Sequence, residues 1–112
     1  MQVAAEVVSI KDLTEGDYET VAASQTTQAL GATGAAGDYL AGVLIVPATT
    51  AAGAVSIKDG SATAVTIFVG GGTTALTILT PVYVRLGIRS VNGAWQITTG
   101  SNVSVIAMGN FT

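Results

Sequence analysis

The chain has 112 residues, a formal net charge of -3, no histidine and no cysteine, and only 10% of its residues are charged, against a usual ~25%. This length fits one domain with one core, and the missing cysteine excludes a disulfide framework and thiolate metal sites. Missing histidine removes the commonest zinc and copper ligand and the commonest acid–base group, so the composition points to a protein that works through a surface.

Ala, Gly, Thr and Val supply 62 residues, and 49% of the chain is hydrophobic. With so little charge, either Thr, Ser, Asn and Gln form the outer face, or other subunits cover part of it; both are expected here. The longest apolar stretch, residues 39–46, is far short of the ~20 residues a spanning helix needs. The first residues lack a basic start and carry Glu6 inside an apolar run, a poor signal peptide, so synthesis in a cytoplasm is expected.

Residues 1–18 read as an acidic N-terminal arm and residues 19–112 as a single β-domain. Glu6, Asp12, Glu15, Asp17 and Glu19 face only Lys11 in the first twenty residues; beyond them Asp38 and Asp59 face Lys58, Arg85 and Arg89. The arm is either a strand and solvated loop or an extension reaching a neighbour. It carries no basic stripe and gives no support to nucleic-acid binding.

From about Thr20 the apolar residues alternate, as strands require. Residues 20–30 suit one or two short strands before a Gly-Ala loop at 31–37. Residues 38–46 are apolar without clean alternation, as expected of a strand covered on both faces. Residues 54–58 put Val55 and Ile57 on one face, and Asp59 and Gly60 begin a turn. Residues 64–69 align Val65, Ile67 and Val69, glycines 70–72 break the pattern, and residues 74–79 resume it with Leu76 and Ile78. Pro81 suits a strand start or edge. Residues 83–90 point Val84, Leu86 and Ile88 one way and Tyr83, Arg85, Gly87 and Arg89 the other. Asn92 and Gly93 suit a tight hairpin, with residues 94–99 returning antiparallel. A turn at 100–102 leads to the last strand, 103–111.

Eight to nine short strands and no long helix predict an all-β fold, an antiparallel β-sandwich or jelly roll. Its expected core is Leu44, Val55, Ile57, Val65, Ile67, Leu76, Ile78, Val84, Leu86, Ile88, Trp95, Ile97, Val103 and Val105. The pentapeptide VSIKD occurs at residues 8–12 and again at 55–59. It marks either equivalent strands or a coincidence.

Each candidate for chemistry has a structural reading. A helix–loop–helix calcium site counted from Asp12 needs glycine at the sixth position and glutamate at the twelfth; Asp17 and Ala23 stand there. A glycosidase needs two carboxylates about 5–9.5 Å apart, and outside the arm only Asp38 and Asp59 remain, both at turns or strand entries. The glycines at 70–72 lack the lysine and following helix of a phosphate loop. Trp95 shares a face with Ile97, which suits a core position better than a sugar platform. Arg85 and Arg89, roughly 13 Å apart on one strand face at about 3.3 Å per residue, suit either carboxylates of the arm or plain solvation. No catalytic, cofactor-binding or metal-ligating residue is therefore assigned, and no cofactor is expected. Glu15, Asp17, Glu19, Arg85 and Arg89 are the candidate interface residues.

The run AASQTTQALGATGAAGDYLAGVLIVPATTAAGAVSIKDG, followed by GIRSVNGAWQITTGSNVSVIAMG, resembles small virion proteins of tailed bacteriophages, most of all head decoration (cement) proteins. The resemblance spans about residues 19–110 and rests on general texture rather than a catalytic motif. It implies a compact β-domain, a symmetric oligomer with a homotrimer favoured, the major capsid protein as partner, and a place on the capsid surface after synthesis in the host bacterial cytoplasm. The expected function is non-enzymatic stabilisation of the assembled head, with no nucleic-acid or membrane partner. The alternatives are a tail or fibre component, and a β-sandwich carbohydrate-binding or adhesion module.

Overall fold

The computed structural model describes residues 16–70 and 79–112. Within them the chain forms eight strands and no helix: β1 (Asp17–Val21), β2 (Gln28–Ala29), β3 (Tyr39–Pro47), β4 (Val55–Asp59), β5 (Val65–Phe68), β6 (Val82–Arg89), β7 (Trp95–Thr99) and β8 (Val103–Asn110). Two four-stranded sheets result, sheet A in the order β1-β8-β3-β6 and sheet B in the order β2-β7-β4-β5. All pairings are antiparallel.

The pairs β1–β8, β2–β7, β3–β6 and β4–β5 nest like the rungs of one long hairpin whose tip is the β4–β5 turn. Rolling that hairpin adds β3–β8 and β4–β7 and makes two packed sheets. This is the jelly-roll arrangement, and the β-sandwich expected from the alternation is present.

The core lies between the sheets. Val21, Val43, Ile45, Val105 and Ala107 of sheet A meet Val55, Ile57, Trp95 and Ile97 of sheet B, with Leu30, Leu40, Val103 and Phe111 closing the ends. Of the expected core, Val55, Ile57, Trp95, Ile97, Val103 and Val105 are buried, and Ile67, Val84 and Leu86 pack partly against it. Leu76, Ile78 and most of the strand expected at 74–79 lie outside the described residues, as does the first VSIKD copy; the second copy is β4.

Three expected core residues are not buried. Leu44 points to the outer face, because Val43 and Ile45 take the inner positions on β3. Ile88 is 48% exposed and Val65 58% exposed, and both corrections involve edge strands that carry a bulge. Between Leu40 and Gly42, β3 advances two residues while β6 advances three, from Ile88 to Arg85. Ile88 still lies opposite the buried Leu40, but it stands near the far end of an edge strand, beyond the extra residue, where little covers it. On β5, Val55 pairs with Phe68 but Ser56 with Thr66, so Ile67 is the extra residue. Phe68 thereby takes the place opposite Val55, and Val69 is exposed. Val65 is opposite Ile57 but sits at the start of a short edge strand, where little covers it.

Gly87 makes the β6 bulge possible, with φ of +67°. A Cβ there would touch only Tyr39 Oη at 3.6 Å, so alanine fits the space but not the backbone conformation. Gly87→Ala should therefore cost about 1–2 kcal/mol, almost purely conformational, read as a lower urea midpoint at unchanged slope.

The expected Asn92–Gly93 hairpin is a second correction. β6 belongs to sheet A and β7 to sheet B, where β7 pairs with β2 and β4 rather than with β6. The connection is a crossover between sheets. It is held by Asp59, whose carboxylate accepts the N–H groups of Val91 and Asn92, each at 3.0 Å, while Gly60 N donates to Ala94 O at 2.9 Å. The turn at 100–102 also crosses between sheets, from β7 to β8.

Candidate functional site

The acids within the described residues show what chemistry they are free to do. Asp38, at the entry to β3, is 4% exposed. Its carboxylate accepts Ala35 N at 3.1 Å, Thr112 N at 3.2 Å and Thr112 Oγ1 at 3.1 Å, tying the loop before β3 to the residues after β8. Its backbone oxygen accepts Trp95 Nε1 at 3.0 Å and Ser90 N at 2.8 Å. Asp59 holds the crossover already described. Glu19 accepts Gln28 Nε2 at 2.9 Å and Gly31 N at 2.8 Å, fixing β1 to β2 and the loop after it. Carboxylates bound to backbone N–H groups in this way act as staples between segments.

The buried hydroxyls are used similarly. Thr99 Oγ1 donates to Ala22 O and accepts Gln25 N, and Ser90 Oγ donates to Ala35 O and accepts Gly37 N. Among the described residues no buried side-chain N or O lacks a partner, and no group of three or more His, Cys, Asp or Glu could hold a metal ion. No described helix is long and apolar enough to cross a membrane. Trp95 is buried beside Ile97, as the alternation predicted, and no face of it is open to stack on a sugar.

The five candidate interface residues divide. Glu15 lies outside the described residues, and so does Asp12. Asp17 is exposed on β1, inside the arm as its boundary was drawn from sequence, since β1 begins there. Glu19 is spent on the internal bonds above. Arg85 is exposed on β6. Arg89 donates to Gly37 O at 3.1 Å and lies over the Tyr39 ring, 5.8 Å from its centre. Arg85 lies opposite Gly42 and Arg89 opposite Tyr39, with the β6 bulge between them. Within one copy the acidic β1 and basic β6 are opposite edges of sheet A, three strand spacings or roughly 14 Å apart.

Sequence reasoning missed the outer face of sheet A. Residues directly opposite in an antiparallel sheet share a face. The register therefore aligns Tyr18, Met108, Gly42 and Arg85 in one outward row, and Thr20, Ile106, Leu44 and Tyr83 in the next. Val46 and Ser104 follow. A Cβ on Gly42 would fall within van der Waals overlap of the Tyr83 hydroxyl and ring, so that ring lies across the glycine. The outcome is a band of Leu44, Val46, Ile106, Met108 and two tyrosines where a solvated sheet face normally carries polar residues. The signal was present in residues 38–46, whose failure to alternate meant apolar residues on both faces.

The other apolar surface is the β5–β6 side of the sandwich. Of the described large hydrophobic side chains that are exposed, Val65, Val69, Leu79, Val82, Tyr83, Ile88 and Val91 lie on or beside these two strands, and Tyr18 stands apart on β1. The stickier edge is thus the one carrying Arg85 and Arg89. Comparison of the chain with protein-family models, curated proteins and solved structures finds no match.

Proposed function

We propose that this chain is a non-enzymatic structural protein of a tailed-bacteriophage virion, a decoration protein that binds the surface of the head and stabilises it. The observation that carries this reading is the apolar outer face of sheet A, in a chain whose described buried polar groups are already committed to holding loops in place. A surface of this kind gains from being covered. A protein that binds an assembled shell but not its separated parts stabilises the shell by mass action, and many copies on a lattice add avidity.

The resemblance of residues 19–110 to virion proteins supplies the class of partner, the major capsid protein. The jelly roll is compatible with this and equally with lectin domains, so fold alone does not choose. Burial of Trp95 favours the virion reading over the carbohydrate-binding one. The arm is proposed to contribute to head contacts.

Gold-labelled antibody against this chain, applied to virions of a phage that encodes it, should decorate the faces of the head. Label confined to the tail would replace this reading with a tail or fibre role, and unlabelled virions would overturn both. Deleting residues 1–14, which spares β1, should leave the thermal transition of the β-domain within a few degrees and weaken binding to stripped heads.

A further inference from the structure

Sheet A ends in two unlike edges. Among the described residues β1 pairs only with β8, and β6 only with β3, so these two strands are the edges of the described sheet. The β1 edge carries Asp17 and Glu19, and its Tyr18 is 73% exposed on the outer face. The β6 edge carries Arg85 and Arg89, with Val82, Tyr83 and Ile88 exposed beside them. Exposed apolar edge strands are sites at which another chain adds a strand.

Strand direction makes the two edges fit. Four antiparallel strands leave β1 and β6 running in opposite senses. A second copy placed beside the first with its strands in the same orientation therefore sets its β1 antiparallel to the first copy's β6. The five residues of β1 match the five of β6 that precede its bulge, 82–86.

We propose that the β6 edge of sheet A receives the β1 edge of a second copy of this chain, so that copies join head to tail. Continuing the outward rows across the junction puts Tyr18 of one copy beside Arg85 of the other, and Thr20 beside Tyr83. An arginine over a tyrosine ring and an apolar contact on the neighbouring row are favourable cross-strand pairs. The alternative two-fold arrangements pair β6 with β6 or β1 with β1, bringing like charges together, which disfavours both. A head-to-tail contact that closes forms a ring, and the trimer implied by the resemblance is one such ring. The proposal names a partner for the surface discussed above and does not depend on the virion assignment, because the purified chain alone tests it.

The test is the mass in solution, by sedimentation equilibrium across the micromolar range, of the full chain and of Tyr18→Lys and Arg85→Glu. The full chain should self-associate, and each variant should weaken that association about tenfold or more. Mixing the two variants should restore it, since the intact β1 edge of Arg85→Glu meets the intact β6 edge of Tyr18→Lys. A monomeric full chain, an association that survives both substitutions, or a mixture no heavier than its components would each overturn the proposal. Should a variant unfold, the absence of cysteine provides a second route. Tyr18→Cys and Arg85→Cys chains, mixed and oxidised, should give the mixed disulfide in excess over both homodimers; a statistical yield of the three would overturn it.

Discussion

Trp95→Ala should lower the unfolding free energy by about 3–5 kcal/mol, the usual cost of removing a large aromatic side chain from a packed core. Trp95 is 3% exposed and stands between Ile97, its neighbour on the same face of β7, and the core residues of sheet A. Its indole also donates to Asp38 O, so it bonds sheet B to the entry of β3 in sheet A. Trp95→Phe separates these contributions. Phenylalanine keeps most of the apolar contact and loses the donor, while Asp38 O retains the bond from Ser90 N. Its cost should be about 1–2 kcal/mol. Equilibrium urea unfolding measures both, and a Trp95→Ala loss under 1 kcal/mol would contradict the packing described.

Asp38→Ala is the second large effect, at about 3 kcal/mol. The carboxylate gathers donors from Ala35 and Thr112, residues that meet only in the folded chain. Removing it leaves the two backbone N–H groups without this acceptor in a partly buried setting. Thr112→Ala removes only the hydroxyl and should cost about 1 kcal/mol. In the double variant the losses should fall short of their sum, because the hydroxyl bond is already gone once the carboxylate is removed. Strict additivity would show that Thr112 Oγ1 and Asp38 do not interact.

Strand positions were legible from alternation because one face of most strands packs on a core. The expected segments at 38–46, 54–58, 64–69, 83–90, 94–99 and 103–111 each contain or closely overlap a strand. Which strands pair was not legible. Asn92 and Gly93 have the chemistry of a tight hairpin, but the Asp59 carboxylate, 32 residues away, holds their segment as a crossover. Local turn chemistry cannot register a contact of that range. The bulges were hidden for a related reason. Gly87 looked like one more outward position on an alternating strand, and nothing at Ile67 distinguishes an extra residue from a core residue. The structural roles of Asp38 and Asp59 were readable from their turn positions, although their partners were not. The outer face of sheet A was half readable: residues 38–46 announced apolar residues on both sides, but the rows joining Tyr18, Ile106, Leu44 and Tyr83 exist only once the register is known.

The nested pairing also orders events during synthesis. β8 sits between β1 and β3 in sheet A, and β1 pairs from Asp17 with Gly109 to Val21 with Val105. A ribosome adds roughly 5–20 residues per second, so β1 waits several seconds for its partner while the intervening chain emerges. Sheet B has the same dependence, because β7 separates β2 from β4. Neither sheet can be completed from the N-terminus forward. The β4–β5 and β3–β6 pairings need nothing beyond Arg89 and can form before β7 and β8 emerge, whereas every pairing of β1 and β2 waits for those last strands, and such non-local closure typically takes milliseconds to seconds. Until then β1 and β2 lack their partners β8 and β7 in a crowded cell, which makes the nascent chain, rather than the finished one, the form most exposed to aggregation.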